Sequence, residues 1–84
     1  MAIPTETEVL AEISRIAREE LEVTQPLRGE DGLAAALGLD SLRLTILAVG
    51  LENRFRVRLE DEDTSAVNTV AELAELVVRR AAAC

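Results

Sequence analysis

The 84-residue sequence has no histidine, lysine, tryptophan or tyrosine, a single cysteine and a single phenylalanine. Without histidine or lysine there is no ready general base near neutral pH, and histidine-based catalysis is excluded. The same absences exclude a metal site built from histidine and several cysteines. One cysteine, Cys84, allows no internal disulfide and agrees with a reducing compartment. A free thiol at a chain end is most simply incidental, although it can dimerise in air. Runs of basic residues are missing as well. Sixteen acids against nine bases leave a formal charge of -7, so nucleic-acid binding by counterion release is not expected. No stretch nears the roughly 20 apolar residues of a membrane span, and the start lacks the basic, apolar pattern of a secretory signal. The expectation is a cytoplasmic, monomeric domain without membrane insertion.

What is present is ample apolar content, 49% of the residues, in a chain long enough for one domain over residues 1–84. The length and the start at Met1 favour a free-standing protein.

The order of elements reads as all-α. Thr5-Glu6-Thr7-Glu8 is a capping box and predicts a helix from about Glu6 to Leu21. Val9, Leu10, Ile13, Ile16, Ala17 and Leu21 form its apolar stripe; Glu8, Glu12, Arg15, Arg18 and Glu19 fall off it. A long connection over about Glu22–Leu39 follows, with Leu27, Leu33 and Leu37 as anchors and a possible helical turn at 33–37. Asp40-Ser41 opens a second main helix that runs to about Phe55. Arg56-Val57-Arg58-Leu59 is an extended linker, and Glu60-Asp61-Glu62-Asp63 caps a short helix ending near Val67. Thr69-Val70-Ala71-Glu72 is a second capping box, and the last helix runs to about Ala82. Val70, Leu73, Ala74, Val77 and Ala81 share its apolar face. The expected fold is a bundle of four helices, three long and one short.

The second main helix has two opposed apolar faces. With Leu42 at 0°, Ile46 falls at about 40° and Val49 at about 340°, while Leu47, Leu51, Leu44 and Phe55 span about 140–220°. The wider face is the core side, meeting Val9, Ile13, Ile16, Val70, Leu73 and Val77. The narrower strip, Leu42-Ile46-Val49, is surplus, and exposed apolar strips mark contact surfaces. Burial on all sides would account for it equally well.

Ser41 sits where this strip begins and where the long connection ends. A helix cap is its simplest role, but Asp40 and Ser41 are two capping residues where one suffices. A hydroxyl at a helix N-terminus is also a good place for a phosphate, because free N–H groups and the dipole stabilise the anion. Ser41 as a hydrolytic nucleophile fails for want of a base.

Leu37-Gly38-Leu39-Asp40-Ser41-Leu42 resembles the Asp-Ser-Leu signature of acyl carrier proteins. The likeness extends along most of the chain. Leu51-Glu52-Asn53-Arg54-Phe55 resembles the end of the family's second helix, and 60–63 with 67–70 resemble its third-helix region. The resemblance implies 4'-phosphopantetheine attached to Ser41. Asp40 would then be part of the motif read by a phosphopantetheinyl transferase, and Leu42 would lie beside the arm. It implies a carrier, not an enzyme. The carrier would be loaded with an acyl or aminoacyl thioester by a ligase or transferase and would serve downstream synthase enzymes. The partner face would comprise Arg43, Ile46, Val49 and Val67. The alternative is an unmodified helical adaptor using the Leu42-Ile46-Val49 strip.

One departure stands out. In residues 40–55, Asp40 and Glu52 balance Arg43 and Arg54, whereas many fatty-acid carriers have a strongly acidic second helix. Ile46 stands where those often have glutamate. The negative charge here lies in residues 6–22 and 60–63. The expectation is apolar, salt-tolerant docking in a specialised pathway of polyketide, lipid or aminoacyl chemistry. Finally, Asp61, Asp63, Ser65 and Glu72 mimic part of a calcium loop, but Ala66 stands where the loop's turn needs glycine. No metal site is expected there.

Overall fold

A computed structural model describes residues 3–38 and 40–83, and for Ser41, Asp61 and Ala83 the backbone alone. Leu39, at the end of the long connection, and Cys84 lie outside the described residues. Five helices follow in order: α1 (Glu6–Glu19), α2 (Leu33–Leu37), α3 (Ser41–Phe55), α4 (Asp61–Ala66) and α5 (Val70–Ala83). The long ones, α1, α3 and α5, pack against one another. This is the expected all-α bundle with a second short helix, α2, where the sequence suggested a turn.

The helix boundaries follow local chemistry. The Thr5 hydroxyl accepts from the Glu8 N–H at 3.1 Å while the Glu8 carboxylate faces the Thr5 N–H at 3.4 Å. Thr69 and Glu72 repeat the pattern, at 3.1 Å and 2.9 Å. The N–H groups of Asn68 and Thr69 hold the Glu72 carboxyl below the usual carboxylate range. Val70 and Ala71, the next N–H groups of α5, donate to the carbonyls of Asp31 and Gly29 at 2.9 and 2.8 Å. In return, the Leu33 N–H donates to the Asn68 carbonyl at 2.8 Å. The first turn of α5 thereby anchors the long connection, a pairing of backbone groups that no side chain announces.

The core is aliphatic. Val9, Ile13 and Ile16 from α1, Leu47 and Leu51 from α3, and Val70, Leu73 and Val77 from α5 are fully buried. Leu33 and Leu37 are buried as expected, and Leu27 is half-buried. Gly50 permits the close α1–α3 crossing: a Cβ there would stand 2.7 Å from Ile16 Cδ1. Three expectations need correction. Leu44 is half-buried at the rim because it opens onto a groove, whereas Phe55, with the Arg54 guanidinium 5.1 Å above its ring, is half-buried and packs against the core as expected. Glu12 is buried rather than off the stripe. Arg15 grips it at 2.6 Å and Arg54 of α3 lies 4.0 Å away, which satisfies the charge. The bond to Arg15 and the charge of both arginines hold the Glu12 carboxyl low against the opposing effect of burial. Leu76, outside the expected face of α5, is buried beside α4.

The linker after α3 does more than connect. Arg56 ends the helix with a left-handed φ of 57°. Val57 and Leu59 then point into the core while Arg58 stays exposed, and Glu52 accepts from the Leu59 N–H at 2.8 Å. The Arg80–Asp63 ion pair ties α5 to α4.

Candidate functional site

Asp40 and Ser41 occupy the joint between the long connection and α3. The turn into it is made by Gly38, whose φ of 59° is the left-handed conformation glycine tolerates best. Asp40 is extended, at φ -117° and ψ -174°. Its carboxylate accepts from the Arg43 N–H at 2.8 Å, and its carbonyl accepts from the Leu44 N–H at 2.9 Å. Asp40 is therefore the N-cap, covering the third and fourth N–H groups of the helix. Ser41 is the first helical residue, one step inside the cap. The first two N–H groups, of Ser41 and Leu42, stand at the positive end of the helix dipole.

Such an end suits a phosphate-linked group. Its dipole favours the anion, and Leu42 beside it is 69% exposed, an apolar side chain free to meet an arm or a partner. Val49, two turns on, is also exposed, at 46%. Ile46 between them is half-buried against the core, so the strip is narrower than its wheel suggests. Val67, the C-cap of α4, is half-buried. Arg43 does not simply face outward. Its Nη1 donates to the carbonyls of Leu21 and Leu37, at 2.9 and 3.4 Å.

Beside the middle of α3 lies a groove of about 410 Å³, walled by Leu44, Ala48, Val49 and Leu59 on its apolar side and by Thr45, Glu52, Thr64 and Ser65 on its polar side. The sequence reading missed it because one side of its wall, Leu59, Thr64 and Ser65, comes from the linker and α4. A larger hollow of about 510 Å³ lies between α4 and α5, with no α3 residue in its wall. Asp63 and Glu72 of the calcium-like run are engaged there by Arg80 and by the α5 cap. Among the described residues no acidic, histidine or cysteine cluster is arranged to hold a metal ion. Among them, also, no helix is long and apolar enough to cross a membrane.

Residues 7–77 match the family model for the phosphopantetheine attachment site. The chain is 32% identical over 72 residues to acyl carrier protein 4, chloroplastic, of Arabidopsis thaliana, a match covering 83% of this chain and 52% of that protein. The chain thus spans about half the length of its chloroplastic relatives. It is 30% identical over 77 residues to the acyl carrier protein of Chlorobium phaeovibrioides, covering 90% of this chain and 99% of the relative. The acyl carrier protein of Kineococcus radiotolerans is 30% identical over 69 residues, with 81% and 85% covered. An Asp-capped helix with serine at its first position and an exposed leucine at its second agrees with that match. The chain belongs to the acyl carrier protein family, carriers rather than enzymes, whose prosthetic group is covalent 4'-phosphopantetheine.

Proposed function

We propose that this chain is one carrier domain over residues 1–84 that holds an acyl or aminoacyl group as a thioester on phosphopantetheine attached to Ser41. The observation that carries the assignment is the division of labour at the joint. Asp40 makes the capping bond, and Ser41 follows it at the first helical position. Attachment joins the Ser41 oxygen to the phosphorus of the arm, breaks the pyrophosphate bond of the coenzyme A donor so that 3',5'-adenosine bisphosphate leaves, and releases the hydroxyl proton. The chain has no histidine or lysine to take that proton, so the base belongs to the transferase. The arm supplies the thiol that bears the cargo.

Leu42 and Val49, with Ile46 and Val67 at the margins, form the face met by the transferase, the loading ligase or transferase, and downstream synthase enzymes. The charge balance of α3 supports docking by apolar contact, with ionic steering secondary. That departs from an acidic docking helix and favours a dedicated polyketide, lipid or aminoacyl pathway in the cytoplasm. The test is an intact mass before and after incubation with coenzyme A and a promiscuous phosphopantetheinyl transferase, with Ser41→Ala in parallel. One phosphopantetheine on the wild type and none on the variant is expected. Equal mass on both sinks the assignment to Ser41. No mass on either, with a control carrier modified alongside, favours the unmodified adaptor.

A further inference from the structure

Arg43 has an unexpected position for a cation next to an attachment motif. Leu21 lies two residues beyond the end of α1, Leu37 is the last residue of α2, and both are buried. Carbonyls at a helix end, or in the loop just past one, have no partner within the helix, and leaving one unmet in a buried setting is costly. The two hydrogens of Arg43 Nη1 serve both: the Leu21 carbonyl at 2.9 Å and the Leu37 carbonyl at 3.4 Å. The same residue's N–H is taken by Asp40 at 2.8 Å. One residue thus ties the segment just past α1, the end of α2 and the cap of α3, and Ser41 lies between the last two. A cationic group at the C-terminus of α2 is also favoured by the dipole of that helix.

We infer that Arg43 is a positioning residue: it clamps the long connection against the first turn of α3 and so presents Ser41 in one orientation to the enzyme that modifies it. The inference rests on the assignment of Ser41 as the attachment site. It departs from the sequence reading of Arg43 as a partner contact, and the two make different kinetic demands. A positioning residue acts after docking, because a loose joint leaves the hydroxyl misaligned in the bound complex. A partner contact acts on docking itself.

The experiment compares wild type, Arg43→Met and Arg43→Lys as substrates of a phosphopantetheinyl transferase, at a temperature where calorimetry shows all three folded. Met keeps the apolar stem and removes the donors; Lys keeps a cationic donor. Arg54→Ala, at the far end of α3, is the control for general loosening of the helix. Arg43→Met is expected to lower kcat about tenfold with KM within about twofold, Arg43→Lys to restore part of kcat, and Arg54→Ala to retain it. Amide hydrogen exchange on the unmodified protein reads the clamp independently of any transfer. Protection at residues 37–38 and 42–44 should fall about tenfold in Arg43→Met. A raised KM with unchanged kcat would make Arg43 a partner contact and overturn the inference. So would wild-type exchange in Arg43→Met, whatever the kinetics. If the wild type takes up no phosphopantetheine while exchange does change, the Ser41 assignment fails and the clamp is only architectural.

Discussion

Replacing Asp40 by alanine removes one hydrogen bond and one charge from the start of α3 and leaves the rest of the joint intact. The Asp40 carbonyl still accepts from Leu44 at 2.9 Å, because that bond is backbone. The 2.8 Å bond from the Arg43 N–H to the carboxylate disappears. Loss of an N-cap of this kind costs about 0.5–2 kcal/mol, and within that sum the favourable charge–dipole contact contributes about 0.3–1 kcal/mol. In a domain of this size about 1 kcal/mol corresponds to roughly 4–8 °C in Tm. Ser41→Ala has the opposite sign. Ser41 sits at the first helical position, inside the Asp40 cap, where alanine is the better helix former by roughly half a kcal/mol. Thermal melts by circular dichroism at pH 7 should show Asp40→Ala several degrees below wild type and Ser41→Ala level with it or slightly above. Asp40→Asn separates the two effects, since it keeps an acceptor and loses the charge; it should fall between. An Ser41→Ala variant that melts as low as Asp40→Ala would refute the division of labour, because serine would then be the cap.

Three further predictions follow from the same packing. Leu47 is fully buried and Leu42 is 69% exposed on the same helix; Leu47→Ala should cost about 2–5 kcal/mol in a urea titration and Leu42→Ala less than about 0.5 kcal/mol. Glu12 and Glu72 have folded-state pKa values below their ordinary ones. Their contribution to stability is present above about pH 4.5, the ordinary glutamate value, and is lost as the pH falls through the lower folded values. Urea unfolding from pH 7 to 3 should show that decline, and Glu12→Gln should flatten it. Ile46→Glu should slow turnover by the natural partner while added salt changes the wild-type rate little. The apolar-docking account fails if Ile46→Glu is neutral and charge changes in α3 abolish turnover.

Much of this fold could be read from short-range pattern. The capping boxes at Thr5–Glu8 and Thr69–Glu72 span three residues each, and both formed with their expected partners. The stretch 56–59 reads as an extended linker, but the burial of Val57 and Leu59 and the bond from the Leu59 N–H to Glu52 are not part of that reading. What escaped the sequence has one physical source: partners that are distant or belong to the backbone. Glu12 lies only about 40° beyond the edge of the apolar stripe, and its burial depends on Arg54 of another helix. Arg43 reaches a carbonyl 22 residues away, and a carbonyl has no side-chain signature. The groove beside α3 is built jointly with the linker and α4, so no single helix wheel contains it.

The central claim is that one hydroxyl, that of Ser41, carries the prosthetic group, and the arginine pattern allows a direct test. Cleavage after every arginine releases residues 29–43, a piece in which Ser41 is the only serine or threonine. Mass analysis of that digest, after incubation with coenzyme A and a phosphopantetheinyl transferase, should find the added phosphopantetheine on this piece and no other. Its appearance on a piece holding Ser14 or Ser65, with residues 29–43 unmodified, would contradict the account.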